Sequence, residues 1–203
     1  PGVSVFSEED DSIYGPTSIS RWSYAHAKAI DEYLALAYTA QHGLPVVVAR
    51  FFNTVGPRQL GSYGMVLPRF VQSALNNQPL RVFGDGQQSR CFCDVRDVVA
   101  VLPKLMACSD AHGKVMNIGS DRSVSIQELA KRVIEVTGSE STIEHVDYSD
   151  AYPAGFEDLR HRKPDLTRLR SFVEFDYKYT LDDTIRDLAE VLLAESNVRS
   201  GAM

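Results

Sequence analysis

The 203-residue chain is 44% hydrophobic and 24% charged, carries a formal net charge of -6 and has three cysteines. That composition buries a proper core and excludes a disordered chain. With no apolar run long enough to span a bilayer and no secretory leader pattern, the expected location is cytoplasmic; the negative charge argues against a nucleic-acid surface, so any anionic ligand must be met by locally placed arginines.

Residues 1–18, "PGVSVFSEEDDSIYGPTS", are acidic and rich in turn formers and read as loop. Residues 20–42 predict one long helix closed by Gly43, with Trp22, Ile30, Leu34 and Tyr38 at helical spacing. "LPVVVARFFNTVG" lacks polar alternation and predicts a buried parallel strand; following a helix so closely, it reads as the second half of a βαβ unit. A loop over 57–64, a helix at "VLPRFVQSALNN", a strand at "PLRVFG" and a polar glycine turn at "DGQQ" come next. In "RCFCDV", strand geometry places Cys91 and Cys93 on one face. No second Cys/His pair occurs at ligand spacing, so they read as small buried hydrophobes rather than a zinc pair, and no disulfide framework is indicated. "DVVAVLPKLMA" predicts a helix and "KVMNIGS" a strand, and "SIQELAKRVIEVTG" opens with Ser125 and Glu128 spaced as a capping box and ends on Gly138. A strand at "STIEHVDY", a short helix at "PDLTRLRSFV" and a final amphipathic helix at "TLDDTIRDLAEVLLAES" complete the chain. Asp97 and Asp165 read as helix caps. The five histidines share no spacing and need only surface or core roles.

Tyr24 and Lys28 stand four residues apart on the first long helix, about 6 Å along its axis, and so share a face. A phenol titrating near 10 must lose about three units, roughly 4 kcal/mol, to act as a base at neutral pH. One cation about 4 Å away at an effective dielectric near 20 supplies about that much. Such pairs are also commonplace on exposed helices, and context has to decide.

The context is "YGPTSISRWSYAHAK" with its Tyr-x-x-x-Lys, then "ARFFNTVGPRQ", "VLPRFV", "LRVFGDGQQSRCFCDVRDVV", "NIGSDRSVSIQELA" and "RHRKPDLTRLR". In this order and spacing, from Ser7 to Leu192, the chain resembles the extended short-chain dehydrogenase/reductase family, specifically the NAD-dependent nucleotide-sugar epimerases and dehydratases of the UDP-glucose 4-epimerase type. The resemblance implies an α/β fold: the C-terminal part of a Rossmann-like parallel sheet domain plus a small α/β substrate-binding lobe. Residues 1–60 would be a remnant of the dinucleotide-binding domain, with the catalytic helix and following strand. Residues 61–203 would be mainly the substrate-binding lobe, with a segment around 90–110 returning to the first domain.

By the same resemblance, Tyr24 is the catalytic phenol that moves a sugar hydroxyl proton, and Lys28 tunes it and bonds the nicotinamide ribose. Phe51 and Phe52 lie near the nicotinamide or pack in the core. Asn53 contacts the sugar diphosphate, with Arg58 as a further candidate beyond the strand's C-terminal end. Leu67 and Phe83 wall the nucleotide base, with Arg81 beside them. Arg90 and Arg162 clamp the pyrophosphate, Arg160 being a rival to Arg162; guanidinium forks suit the two charges of a diphosphate.

The family pattern begins with a strand and a Gly-x-x-Gly-x-x-Gly turn that receives the cofactor pyrophosphate, and these 203 residues contain no such turn; "GDGQQS" has the wrong spacing. The family's catalytic Ser or Thr is not found either. The chain therefore reads as a C-terminal fragment. The intact protein is expected to be an NAD-dependent nucleotide-sugar 4-epimerase, and the fragment alone to bind NAD negligibly and not turn over. One alternative is a UDP-glucuronate decarboxylase or dehydratase of the same family, suggested by "HRKPD" with Arg162; the helix "RWSYAHAKAIDEYLALAY" favours epimerisation. Another is a cofactor-less, non-catalytic interaction domain. The implied partners are a nucleotide-diphosphate sugar, expected to be UDP-linked, and a second copy of the protein, docking through Tyr33, Leu36 and Ala37 unless these three pack instead on the helix that precedes in the family pattern. No nucleic acid, membrane or metal is expected.

Overall fold

A computed structural model describes residues 5–20, 22–59, 61, 65–147 and 160–201, with side chains as far as 196. A two-residue strand, β1 (Val5–Phe6), interrupts the stretch expected to be all loop; it pairs in parallel with β10 (His161–Pro164), and Asn117 holds it from the side by donating to the Phe6 carbonyl at 2.9 Å. Helix α1 (Trp22–His42) comes next and lies against β2 (Val47–Phe51), and Arg50 grips Glu32 of the helix with two hydrogen bonds of 2.8 and 2.7 Å. β2 runs parallel to β7 (Lys114–Ile118) over five residues, as expected, but the expected burial is corrected: Val47 to Arg50 are half-buried and Phe51 is half exposed at the strand end.

The remaining strands form small pairings. β3 (Thr54–Val55) is parallel to β6 (Cys93–Asp94), and β4 (Leu80–Phe83) is parallel to β9 (Ile143–Val146). β5 (Ser89–Cys91) pairs antiparallel with β8 (Ser123–Ser125) and parallel with β10. This corrects the expectation that Cys91 and Cys93 share a face of one strand. The chain changes pairing partners across Phe92, so Cys91 belongs to β5 and Cys93 to β6. Both are buried; the Cys91 thiol lies 3.2 Å from the Ser123 hydroxyl, and burial pushes the Cys93 thiol up to about 12. Among the described residues no group of His, Cys, Asp or Glu is placed to hold a metal ion.

Two apolar cores organise the helices. In the first, α2 (Val66–Leu75), α4 (Ile126–Thr137) and α6 (Leu181–Gly201) pack over β4 through Phe70, Val71, Leu129, Val133, Ile185 and Leu188. In the second, α3 (Val95–Ala107) and α5 (Thr167–Phe172) pack on β7 through Val98, Val101, Leu105, Met116, Ile118 and Leu169. This second core draws on residues 93–118 and 166–175.

Polar locks join the two cores. Asp94, not Asp97, caps α3 by accepting from the Arg96 N–H at 2.8 Å; it also accepts from Thr184 of α6 at 2.7 Å, and Arg96 reaches on to Asp187 at 2.6 Å. Asp97, within the first turn of the helix, instead accepts the backbone N–H groups of Lys178 and Tyr179. Asp165 accepts from the Thr167 N–H at the start of α5, and Ser125 accepts from the Glu128 N–H as the capping spacing predicts. Among the described residues no helix is long and apolar enough to cross a membrane.

Candidate active site

The site grows from the C-terminal end of β2, where parallel strands of open α/β sheets bind ligands. The Phe52 N–H continues the ladder to the Ile118 carbonyl at 2.9 Å, and Gly119 permits the close approach: a Cβ there would stand 2.7 Å from Cβ of Phe52. The chain then turns through Asn53, whose φ of 34° lies in the left-handed region that asparagine tolerates better than most residues. Its carbonyl accepts from the Cys93 N–H at 3.2 Å, which docks the following β3 on β6. Gly56 passes so near Val95 that a Cβ would lie 2.6 Å from the valine side chain.

Between this turn, the first turn of α2, β4 and β5 lies a cavity of about 270 Å³. Leu67, 1% exposed, belongs both to its wall and to the first core, and Phe83, Arg81, Arg90 and Asn53 also line it. The first turn of α2 has no side-chain cap at Met65, and Pro68 sits where a lost N–H breaks no helical bond. The positive end of that helix therefore lies on the cavity wall with the arginines and favours an anion. Strand register places Arg162 of β10 directly opposite Arg90 of β5, so both side chains leave the sheet on one face; the Arg162 guanidinium lies 5.3 Å from the centre of the Phe52 ring.

The cavity also carries acceptors. The side-chain oxygens of Asn53, Thr54, Gln59 and Gln88 are buried there without a hydrogen-bond partner among the described residues. Such atoms cost about 1–3 kcal/mol each when left unmet. The wall is thus divided between cationic donors and neutral acceptors, the pattern that suits a ligand with a phosphate end and an N–H- or hydroxyl-bearing end.

Of the residues singled out from sequence, Asn53, Leu67, Arg81, Phe83 and Arg90 come together in this cavity. Arg162 and Phe52 adjoin Arg90 and Asn53 through register and sequence without lining it. Arg58, exposed at φ 67°, and Phe51, half exposed at the strand end, stay outside. Arg160 turns away to Asp85 at 3.4 Å. Gln88 and Gln59 are not legible from sequence: a glutamine in a polar turn carries no signal of burial until its neighbours are known.

Tyr24 and Lys28 share a face of α1, with the ammonium 6.0 Å from the tyrosine ring centre, but both lie outside the cavity lining. Tyr24 is 72% exposed and the Lys28 side chain 58% exposed, bonded to Asp31 at 2.8 Å; that hydrogen bond raises the lysine pKa. The lysine expected to serve the phenol is therefore shared with a carboxylate. NAD, which the family pattern implies, fits these residues in part. A phenol and an ammonium on one helix face suit a nicotinamide ribose, while the first amides of α3 and α4 are already taken by Asp94 and Ser125 and do not receive its pyrophosphate.

Three comparisons bear on this arrangement. The model of the NAD dependent epimerase/dehydratase family matches residues 2–119. A UDP-N-acetyl-alpha-D-glucosaminuronate decarboxylase of Bacillus cytotoxicus is 43% identical over 195 residues, which are 94% of this chain and 60% of that protein. The chain thus spans about 60% of that relative's length. Among solved structures, the UDP-N-acetylglucosamine 4-epimerase of Methanobrevibacter ruminantium M1, in complex with UDP-N-acetylmuramic acid, is 27% identical with a TM-score of 0.74, over 85% of this chain and 54% of that one. The dTDP-glucose 4,6-dehydratase of Bacillus anthracis, in complex with NAD, has a TM-score of 0.78 at 23% identity, over 97% and 58% of the two chains, and shares the fold.

Proposed function

The chain belongs to the NAD dependent epimerase/dehydratase family, and from that premise we propose that it supplies the substrate-binding half and the acid/base pair of an enzyme acting on a UDP-linked sugar. The observation that carries this reading is the cavity itself: Asn53 and Arg90 meet a wall made by Leu67 and Phe83, with Arg81 at its exposed edge and Arg162 in register beside Arg90. Two guanidinium forks on one sheet face suit a diphosphate, and the apolar wall suits a base.

NAD, when bound, exchanges a hydride with the sugar carbon. The chain's own residues hold the diphosphate at Arg90 and Arg162, hold the base against Leu67 and Phe83, and move the hydroxyl proton at the Tyr24 phenol oxygen, with the Lys28 ammonium favouring the phenolate. Two outcomes share that first oxidation. In a hexuronate, a ketone at C4 stands β to the C6 carboxylate, and the bond between C5 and C6 breaks with release of carbon dioxide, leaving its electron pair on C5 to be protonated. In a hexose no carboxylate is present, and hydride return to the opposite face inverts C4.

Decarboxylation leads, because the 43% identical relative bears that activity in its name. The 4-epimerase reading stands second, supported by the 27% identical structural neighbour. Product analysis in the intact enzyme with NAD separates them: carbon dioxide from UDP-N-acetylglucosaminuronate or UDP-glucuronate is expected, and interconversion of UDP-glucose and UDP-galactose without any carbon dioxide from the uronates would reverse the order. For the binding half, Arg90→Ala is expected to weaken UDP at least tenfold by calorimetry; unchanged affinity would remove the diphosphate from this cavity.

Self-association through α1 is part of the proposal. Tyr33 is 76% exposed, whereas Leu36 and Ala37 are half-buried, so Ile30, Leu34 and Tyr38 are the more available apolar groups on that helix. Light scattering that finds only monomer in the intact enzyme would count against it.

A further inference from the structure

Gln88 is the best-defined of the unmet acceptors. It is 7% exposed, lines the cavity with Phe83 and Leu67, and donates through Nε2 to the Phe83 carbonyl at 2.9 Å. That bond fixes the carboxamide: a carbonyl only accepts, so the amino end must face Phe83 and the oxygen must be the other end. The oxygen is the atom left buried without a partner. Phe83 sits at the end of β4, held in parallel register with Val146 of β9, so the carboxamide is fixed to a strand rather than to a loose loop.

We propose that Gln88 selects the base of the nucleotide: its oxygen accepts the N3–H of a pyrimidine imide, so that the cavity takes uridine or thymidine diphosphates and rejects cytidine diphosphates. The inference rests on the reading of this cavity as the nucleotide site. Uracil and thymine carry a proton at N3. Cytosine has a lone pair there, which would face the glutamine oxygen acceptor to acceptor. A buried site built to accept a ligand N–H discriminates strongly against an analogue that lacks it, because its own polar atom is then left unpaired. Arg81 is a poor alternative reader, being mostly exposed and turned toward Glu144 at 3.6 Å.

Calorimetry on the 203-residue chain with UDP, CDP and N3-methyl-UDP tests this, together with Gln88→Leu and Arg90→Ala. The wild-type protein is expected to bind UDP at least tenfold more tightly than CDP or N3-methyl-UDP, a difference of about 1.4 kcal/mol. Gln88→Leu is expected to bring UDP down to the level of CDP while leaving CDP within about twofold. Equal affinities for UDP and CDP in the wild type, or an undiminished ratio in Gln88→Leu, overturn the inference. If those affinities are equal and Arg90→Ala abolishes both, the nucleotide site stands and only the role of Gln88 falls. If no nucleotide binds, both fall together. The wild-type ratio needs no variant, so a poorly folded Gln88→Leu does not rescue the proposal.

Discussion

The cavity and the exposed face of α1 are built in opposite ways. Leu67, Gln88 and Asn53 are held by a packed core, by a strand-anchored carboxamide and by a turn docked on β6. Tyr24 and Lys28 sit on a helix with no buried residue, fastened to the sheet most visibly by Arg50 and Glu32. The proposed binding residues are by-products of the folded core, whereas the proposed acid/base pair depends on what the helix surface meets. Stability and ligand affinity should therefore be coupled in the cavity and uncoupled on α1.

The largest expected effect tests the uncoupled side. Tyr24→Phe in the intact enzyme is expected to lower turnover about 10²–10⁴-fold, as loss of a general acid/base does, while UDP affinity and melting temperature stay put. A loss of UDP binding in step with turnover would place Tyr24 in the binding wall and erase the contrast. On the coupled side, Leu67→Ala removes a side chain shared by core and cavity. It is expected to cost about 2–5 kcal/mol of unfolding free energy by denaturant titration and to weaken UDP as well. A variant that stayed fully stable yet lost UDP would show the wall to be separable from the core.

Most of that contrast was legible in the sequence on the cavity side only. The helix from Trp22 to His42, the parallel pairing of the strand that follows it, and the capping of α4 by Ser125 follow from periodicity and cap chemistry, and the structure keeps them, though it leaves that strand only half-buried. The split of Cys91 from Cys93 was not readable, because a change of strand partner leaves no mark in alternation. Nor was the cap of α3: two aspartates three residues apart compete for one helix start, and only the position of Thr184 on a distant helix singles out Asp94. The spacing of Tyr24 and Lys28 gave their shared face correctly, but a four-residue interval carries no information on whether that face is covered.

A smaller effect concerns the lock between the cores. Burial pushes the Asp94 carboxyl up, but hydrogen bonds from Arg96 and Thr184 outweigh it and hold the group below the usual carboxylate range. A carboxyl lowered in the folded state contributes stability above its unfolded value near 3.9, and loses it as pH falls through the lower folded value. The melting temperature should thus fall as pH drops below about 4. Asp94→Asn should flatten part of that slope and cost about 1.5–3 kcal/mol at neutral pH, the range for hydrogen bonds to a charged group. An unchanged acid slope in Asp94→Asn would mean that other carboxyls, such as Asp121 beside Arg170 and Tyr177, carry it.

The smallest expected effect returns to α1. Asp31 bonds the Lys28 ammonium across one exposed turn, and that bond raises the lysine pKa. A raised lysine contributes stability at every pH below its unfolded value and loses it only as pH climbs through the folded one, so at neutral pH the bond is fully formed. Exposure still leaves it little to contribute, since both partners stay hydrated and screened. Asp31→Ala should leave the melting temperature unchanged within error, and turnover in the intact enzyme should hold or rise as Lys28 is released toward Tyr24. A clear drop in melting temperature would mean that this face of α1 is covered rather than open. The pair would then stand in the same packed setting as the cavity, and Tyr24→Phe would lose its claim to act on chemistry alone.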